Sequence, residues 1–352
     1  MTYTVTVEPT GEQIEVEEGQ TILQAALRQG VWIPFACGHG LCATCKVTVL
    51  DGDVDVGNAS PFALMDSERD DGMVLACCAT VESDVTIEAD IDVDDDFEGY
   101  AVEDFTATVT KIVDLSPTIK GVHLSLDGAM TFQAGQYINL LIPGCDGVRA
   151  FSIANPPSNN QEIELHIRHV QGGVGTSYIH EQLKVGETLP LSGPYGQFFV
   201  RSSLPGDLIF IAGGSGLSSP QSMILDLLEN GDQRQITLLQ GARNQAELYN
   251  ADLFTALAEK HANLTYIPAL NDANEDESWK GFKGFVHEAA KEHFDGRFAD
   301  HRAYLCGPPP MIDAAISALM QGRLFEKDIF MEKFITAADG AEDNRSALFK
   351  KI

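Results

Sequence analysis

The chain has 352 residues, a formal net charge of −29 at pH 7, and 44% hydrophobic against 21% charged residues. This length predicts two or three domains, because single hydrophobic cores stop growing at about 250–300 residues. The acidic balance excludes nucleic acid as a partner, since binding it needs clustered Lys and Arg, and no stretch reaches the roughly 18 apolar residues that a membrane span needs.

The first 90 residues predict a small domain of strands and one helix. Thr2–Glu8 and Gln13–Glu17 alternate apolar and polar residues, which indicates a hairpin. Thr21-Ile-Leu-Gln24 is a capping box that opens a short helix, and a strand is expected over Lys46–Leu50. Hairpins with one helix across them are typical of a β-grasp domain, which we place at residues 1–90.

A cysteine motif lies in the middle of this domain. Cys37, Cys42 and Cys45 have C-x₄-C-x₂-C spacing, and Cys77 follows after 31 residues. This is the plant-type spacing for a [2Fe–2S] cluster held by four thiolates. A zinc site usually repeats closely spaced Cys pairs, and seven cysteines, an odd number, disfavour full disulfide pairing. Cys78 is an alternative fourth ligand, although the Val-Leu-Ala-Cys register favours Cys77.

Charge is concentrated in the same part of the chain. Residues 1–104 carry 23 acidic and three basic residues. Such a field either keeps the protein soluble or steers a basic protein partner to a docking face. The acid-rich run 91–104 is expected to be a solvated, extended interdomain linker. Because the N-terminus lacks the basic and apolar regions of a signal peptide and the thiols are suited to a reducing compartment, we expect a cytoplasmic protein.

Two further domains follow the linker. Residues 105–204 are rich in short strands punctuated by Gly and Pro, which indicates an antiparallel β-barrel. From residue 205 to 338, buried apolar strands such as Asp207–Ala212 alternate with helices, which predicts a doubly wound parallel sheet of nucleotide-binding type. The polar segment 339–352 is expected to be a loosely ordered tail.

Two short motifs in the barrel carry a family resemblance. Arg149-Ala150-Phe151-Ser152 resembles the Arg-x-Tyr-Ser motif of the ferredoxin–NADP⁺ reductase superfamily, and Gly173-Val174-Gly175-Thr176 resembles its Gly-x-x-Ser phosphate turn. The resemblance implies FAD, with Arg149 at the pyrophosphate, Phe151 packed on the isoalloxazine and Ser152 near flavin N5. It also implies that His166, Ile167 and Arg168 lie along the ribityl and phosphate groups. A helix beginning at the second motif would offer its N–H groups to the pyrophosphate.

The predicted sheet carries the remaining motifs. A glycine loop between a buried strand and a helix predicts a pyrophosphate site for a nicotinamide dinucleotide, and its residues are Gly213, Gly214, Ser215 and Gly216. Cys306-Gly307-Pro308 resembles the superfamily's Cys-Gly-Pro motif beside the nicotinamide. Glu332-Lys-Phe334 resembles its C-terminal signature, whose aromatic residue covers the flavin until nicotinamide displaces it. With no cluster of bases to meet a 2′-phosphate, NADH is favoured over NADPH, although Arg243 keeps NADPH open.

The order of domains is that of the reductase components of bacterial multicomponent oxygenases, and the wording of several stretches is most similar to reductases that serve phenol hydroxylases. The resemblance implies an oxidoreductase that passes electrons from NADH to FAD, to the [2Fe–2S] cluster and then to a diiron hydroxylase docked at the acidic ferredoxin domain. Ser152, Cys306 and Glu332 would shape the catalytic pocket. The alternatives are a reductase of a Rieske dioxygenase, or of a toluene or methane monooxygenase, and a redox-sensing binding module.

Overall fold

A computed structural model describes residues 1–36, 38, 40–91, 94–272 and 278–334 of the chain. The described residues form two compact units, Met1–Glu103 and a second unit that begins at Asp104. None of the helices in the described part is long and apolar enough to cross a membrane. Cys37 and the predicted tail 339–352 lie outside the described residues.

The first unit is a mixed five-stranded sheet with strand order β2-β1-β7-β3-β5, accompanied by a separate β4–β6 pair. Its elements are β1 Thr2–Glu8, β2 Glu12–Glu17, α1 Ile22–Arg28, β3 Lys46–Asp51, β4 Val54–Asp55, α2 Asp66–Asp70, β5 Met73–Leu75, β6 Thr80–Val81 and β7 Val85–Ala89. The predicted hairpin and capping box are confirmed, since β1 pairs antiparallel with β2 and Thr21 and Gln24 cap α1 reciprocally. Alternation buries Val5 and Val7 on one face of β1.

The acid-rich run before the second unit differs from its prediction in its later half. Val102 is buried. Its N–H donates to the Leu27 carbonyl at 2.9 Å, and its carbonyl accepts from the Arg28 guanidinium at 3.0 Å. Phe97 packs edge-on against Trp32, with ring centroids 5.7 Å apart. The expectation of a wholly solvated run is therefore wrong for this half, because its few apolar residues anchor it to the end of α1. Its role as an interdomain linker stays a prediction.

The first half of the second unit is a six-stranded sheet with order β11-β10-β13-β8-β9-β12. Its elements are β8 Glu103–Ser116, β9 Ile119–Leu126, β10 Tyr137–Leu141, β11 Val148–Ser152, β12 Glu162–Arg168, α3 Val174–Glu181 and β13 Thr188–Tyr195. The edge strands β11 and β12 are joined at one end by a bridge between Ile153 and Leu165, so the sheet curls into the predicted barrel. Apolar side chains from alternate positions fill its interior.

The rest of the second unit is a parallel sheet with order β17-β16-β15-β14-β18-β19. Its elements are β14 Asp207–Gly213, α4 Ser218–Glu229, β15 Ile236–Ala242, α5 Ala251–Lys260, β16 Leu264–Leu270, β17 Phe282–Lys283, α6 Val286–His293, β18 His301–Gly307, α7 Pro309–Gln321 and β19 Ile329–Lys333. The chain leaves β14 towards β15 on one side and later returns to β18 on the other. That reversal creates a crevice at the carboxyl ends of the strands, where such sheets bind ligands.

Candidate functional site

The three residues predicted to be catalytic converge on one carboxyl oxygen. Ser152 at the end of β11 donates a hydrogen bond of 3.1 Å to Glu332 Oε2, and Cys306 Sγ lies 3.7 Å from the same oxygen. Cys306 and Glu332 are register partners on β18 and β19, so their side chains project to the same side of the sheet. Barrel and sheet thus meet at this point.

A fourth residue of this group, Ser219, was missed at the sequence level. Its hydroxyl donates to Glu332 Oε2 at 3.1 Å and lies 4.0 Å from Cys306 Sγ. Ser219 occupies the first turn of α4, directly after the glycine loop, and is fully buried. Two consecutive serines there, Ser218 and Ser219, were the available signal, because a buried hydroxyl needs a partner.

Burial governs the electrostatics of this group. Loss of solvent raises the pKa of Glu332, against the opposing effect of hydrogen bonds from Ser152, Ser219 and Cys306. Burial and then the nearby Glu332 raise the pKa of Cys306 well above its usual value. The site therefore favours the neutral acid and the neutral thiol, as expected where charge is poorly solvated.

Two tyrosines, also missed at the sequence level, lie beside this acid. Tyr137 begins β10 and stacks on Tyr195, at the end of β13, with centroids 5.5 Å apart. Burial, followed by the nearby Glu332 and then Tyr195, raises the pKa of Tyr137, which keeps the phenol neutral. Two stacked tyrosine rings therefore lie near Glu332, and aromatic rings of this kind can pack on the face of a planar ring system.

The predicted pyrophosphate residues of the barrel also come together. A Cβ atom placed on Gly175 would lie 3.5 Å from Arg149 Cγ, so the Arg149 side chain passes along the first turn of α3. The N-cap residue, Gly173, has no side chain to occupy the first-turn N–H groups. Thr176 Oγ1 accepts from the Val170 N–H at 3.1 Å, which folds the preceding turn back on the helix. The Arg149 guanidinium itself donates to the Asp146 and Val148 carbonyls at 2.9 Å. The N-terminal turn of a helix with an arginine side chain alongside fits an anionic diphosphate.

Other residues of these two barrel motifs take different positions. Ala150 and Val174 are exposed, whereas Phe151 is half-buried against the barrel core. Ala150 pairs with Asn139 across β10 and β11. A contact between Phe151 and a flavin ring stays a prediction.

The three residues on β12 separate in the structure. His166 is buried and hydrogen-bonds Tyr249 at 3.1 Å and Glu164 at 2.9 Å, while Ile167 belongs to the barrel core. Contact of these two residues with FAD stays a prediction. Arg168 instead reaches the glycine loop, with Nη1 3.9 Å from a Cβ placed on Gly214.

A cavity of about 540 Å³ opens beside the glycine loop. Its walls include four predicted coenzyme residues, namely Gly213, Gly214, Arg243 and Pro308. Arg168, which was predicted to contact FAD, also lines the cavity, and so do residues that the sequence did not indicate, among them Thr118, Asn271, Phe285, His287 and Met311. The cavity lies in the crevice at the carboxyl ends of the parallel strands, as expected for a dinucleotide.

Three further predicted coenzyme residues, Ser215, Gly216 and Gly307, make backbone contacts next to the glycine loop. A Cβ atom on Gly216 would lie 2.5 Å from the Cys306 carbonyl oxygen, so only glycine permits this approach. The Ser215 carbonyl accepts from the Ser218 hydroxyl at 2.9 Å. Gly307 has φ of 149° and accepts the Phe334 N–H at 2.9 Å, which ties the C-terminal aromatic residue to β18.

The ion pair at the cavity wall bears on coenzyme choice. Arg243 lies 3.5 Å from Glu247, whose other carboxyl oxygen accepts from Thr118 at 2.6 Å. A carboxylate held in this way reduces the positive field that a 2′-phosphate would need. The preference for NADH over NADPH stays a prediction.

In the first unit, two of the predicted metal ligands are in contact. Cys45 and Cys77 hydrogen-bond through their thiols, and the Gly40 backbone bonds to Cys77 as well. The Ala76 N–H donates to the Cys45 carbonyl at 2.8 Å, which fixes the two turns together. The Cys45 thiol and then burial raise the pKa of Cys77.

Cys42 occupies the same loop and is half-buried, and Cys37 lies outside the described residues. Within the described part, no three His, Cys, Asp or Glu side chains form a metal-binding group. Clustered thiols with backbone N–H groups beside them nevertheless have the chemistry that an iron–sulfur cluster requires. The four-cysteine ligand set stays a prediction.

Comparison with known proteins identifies the domains in which these residues lie. Three family models match: the 2Fe-2S iron-sulfur cluster binding domain at residues 5–82, the oxidoreductase FAD-binding domain at 106–200 and the oxidoreductase NAD-binding domain at 210–316. The chain is 72% identical to the phenol 2-monooxygenase reductase component DmpP of Pseudomonas sp. (strain CF600) and 64% identical to the phenol hydroxylase P5 protein of Acinetobacter pittii (strain PHEA-2), each over 100% of both chains. Among solved structures, the Amycolatopsis cytochrome P450 reductase GcoB has a TM-score of 0.83 and 34% identity, covering 95% of this chain and 99% of that one.

Proposed function

This chain belongs to the family of reductase components of bacterial multicomponent monooxygenases, and we propose that it supplies electrons from NADH to the diiron hydroxylase of a phenol hydroxylase system. It is an oxidoreductase with [2Fe–2S]-, FAD- and NAD-binding domains. The observation that carries the proposal is the meeting of Ser152, Cys306 and Glu332 at one buried point between the barrel and the sheet. The full-length identity of 72% to a phenol 2-monooxygenase reductase supports the substrate class of the partner.

The residues of the second unit suit a hydride transfer between two planar rings. FAD, when bound, accepts a hydride as two electrons and releases the electrons singly. Arg149 and the first turn of α3 would hold its diphosphate, and the cavity beside Gly213 would hold NADH. Ser152 would donate a hydrogen bond at the reacting edge, with Cys306 and Glu332 bordering it. Phe334 would cover the flavin until nicotinamide enters.

The residues of the first unit suit single-electron relay. We assign the cluster to the thiolates of Cys37, Cys42, Cys45 and Cys77, because the last two already contact each other and the Gly40 backbone bonds Cys77. The cluster, when bound, takes one electron at a time. Backbone N–H groups near the sulfurs would stabilise its negative charge.

The partner would dock on the acidic first unit. Two exposed apolar side chains, Leu41 and Phe62, are 67% and 97% exposed, and the segments that carry them are joined by a hydrogen bond of 3.0 Å from the Ser60 N–H to the Gly40 carbonyl. Exposed acids follow directly at Asp66 and Asp70. An apolar centre within a charged surround is typical of a protein interface, so the hydroxylase face should be apolar at its centre and basic at its rim.

A cytoplasmic location is part of the same proposal. Six cysteines of the described residues are not joined by disulfides, namely Cys42, Cys45, Cys77, Cys78, Cys145 and Cys306. Thiols persist in a reducing compartment, which supports this location.

The test is reconstitution with purified oxygenase components. With NADH and a phenol hydroxylase diiron component, the protein should support hydroxylation of phenol, and a Rieske dioxygenase component should be served poorly. The reverse preference would refute the assignment of the partner. In Cys42→Ser, NADH should still bleach the flavin while cluster absorbance and phenol hydroxylation are lost; hydroxylation at the parent's rate would rule out the relay through the cluster.

A further inference from the structure

A fourth thiol, Cys78, lies beside the proposed cluster ligands. Its Sγ is 3.7 Å from Cys77 Sγ, within hydrogen-bonding distance for two sulfur atoms. Side chains of adjacent residues usually diverge, but here a tight turn holds them together. The N–H groups of Cys78 and Ala79 both donate to the Leu75 carbonyl, at 2.8 and 2.9 Å.

The position of the Cys78 sulfur is fixed from the cluster loop as well. A Cβ atom on Gly40 would lie 2.6 Å from Cys78 Sγ, so the thiol packs directly on the loop backbone. On the other side, a Cβ atom on Gly57 would lie 2.4 Å from the Cys78 carbonyl oxygen. The first contact places the Cys78 sulfur against the cluster loop, and the second fixes the Cys78 backbone.

We propose that Cys78 is not a ligand but donates an S–H hydrogen bond to the Cys77 thiolate and thereby raises the reduction potential of the cluster. The proposal rests on the cluster assignment made above. Hydrogen bonds to cluster sulfurs stabilise added negative charge and are among the main factors that set the potential. Cys77 already hydrogen-bonds the Gly40 backbone, so Cys78 supplies a second, side-chain donor that a point substitution can remove.

This tuning has a consequence for the electron path. A higher potential at the cluster favours transfer of each electron from the flavin to the cluster and lowers the driving force of the next step. Cys78 would therefore set how the total driving force divides between the two steps. Ligand thiolates alone do not offer this adjustment without loss of the cluster.

The experiment is a potentiometric titration of the full-length protein, followed by electron paramagnetic resonance of the reduced cluster. Cys78→Ala and Cys78→Val should both retain full iron content and shift the midpoint potential to more negative values. Cys78→Ser, which keeps a donor, should stay near the parent or above it. Cys145→Ala, which removes a thiol from the second unit, is the matched control and should leave the potential unchanged.

Several results would overturn the proposal. An unchanged potential in Cys78→Ala would mean that the thiol does not tune the cluster, and a shift in Cys78→Ala but not in Cys78→Val would assign the effect to packing. Loss of iron in Cys78→Ala, with iron retained in Cys77→Ala, would make Cys78 the ligand and would also correct the proposed ligand set. Iron-free protein in every variant and in the parent would instead refute the cluster itself.

Discussion

The substitution Gly216→Ala tests how closely the glycine loop must approach the catalytic strand. The new Cβ would lie 2.5 Å from the Cys306 carbonyl oxygen and 2.6 Å from Gly307 Cα, both backbone atoms that cannot turn aside. Reaching ordinary contact requires a shift of roughly 1 Å. Because Cys306 carries the thiol that borders Glu332, the shift displaces the pocket itself.

Two effects of different size follow from this displacement. Overpacking should cost about 1–3 kcal/mol of unfolding free energy, and for a domain of this size each kcal/mol lowers Tm by about 2–4 °C. Misplacing reacting groups by about 1 Å can cost on the order of 100-fold in rate. Hydride transfer should therefore suffer far more than stability does.

The assay is stopped-flow bleaching of the flavin by NADH, with thermal unfolding measured on the same preparation. Gly128→Ala is the matched control, since a Cβ there would meet only Phe105 at an ordinary 3.7 Å. We expect normal bleaching in Gly128→Ala and slow bleaching of a folded, FAD-loaded Gly216→Ala. Parent-like bleaching in Gly216→Ala would refute the argument that this contact holds Cys306 in place.

Three further predictions concern single charged groups. Arg149→Ala should weaken FAD binding by about 10- to 100-fold, since a hydrogen bond to a charged group is worth about 1.5–3 kcal/mol; tight FAD retention during dialysis would contradict it. Glu332→Gln should slow flavin bleaching by about tenfold or more. Because the pKa of Glu332 is raised above its ordinary value of 4.5, the parent's bleaching rate should change with pH above 4.5, and the variant should lack this change. An unchanged rate–pH profile in the variant would exclude this role. The third prediction concerns Glu164. Burial alone would raise the pKa of this carboxyl, but the hydrogen bond from His166 outweighs burial and lowers the pKa below 4.5. The ionised Glu164 therefore stabilises the fold fully above pH 4.5, and this stabilisation is lost as the pH falls through the lower pKa of the folded state. The Tm difference between the parent and Glu164→Gln should thus shrink below pH 4.5, and a difference that stays constant with pH would contradict this prediction.

Local sequence signals predicted much of the candidate site. Cys42 and Cys45 lie on one loop, and their spacing to each other and to Cys77 is a pattern that can be read along the chain. Ser152 ends β11 of the barrel and Cys306 lies near the end of β18 in the parallel sheet, and ligands bind beyond the carboxyl ends of parallel strands. Their place near one crevice could therefore be expected from motifs and strand order, whereas the place of Glu332 was implied only by the family resemblance of its motif.

What the sequence analysis missed depends on contacts between distant residues. Ser219 and Glu332 are 113 residues apart, and no local pattern marks a serine hydroxyl for a carboxylate on β19. Strand β19 was itself not predicted, since Ile329–Lys333 is short and its partner β18 lies beyond a helix. The wrong expectation of a solvated segment at Phe97 had the same origin. Composition described its acids but not the Trp32 ring that the segment packs against.

The polar residues at the start of α4 explain why barrel and sheet form one compact unit. Gln221 and Ser222 are buried and donate to the Ala154 and Asn155 carbonyls at 3.2 and 2.7 Å, directly after Ser152 on the barrel. The helix that follows the glycine loop is thus hydrogen-bonded to the chain that carries the flavin motif. A hydride transfer needs its reacting atoms within about 3–3.5 Å of each other. Hydrogen bonds are directional, so they fix the position of the barrel relative to the sheet more closely than apolar packing alone would. Relay of single electrons makes and breaks no covalent bond, and the predicted cluster ligands are the ones that lie in the first unit.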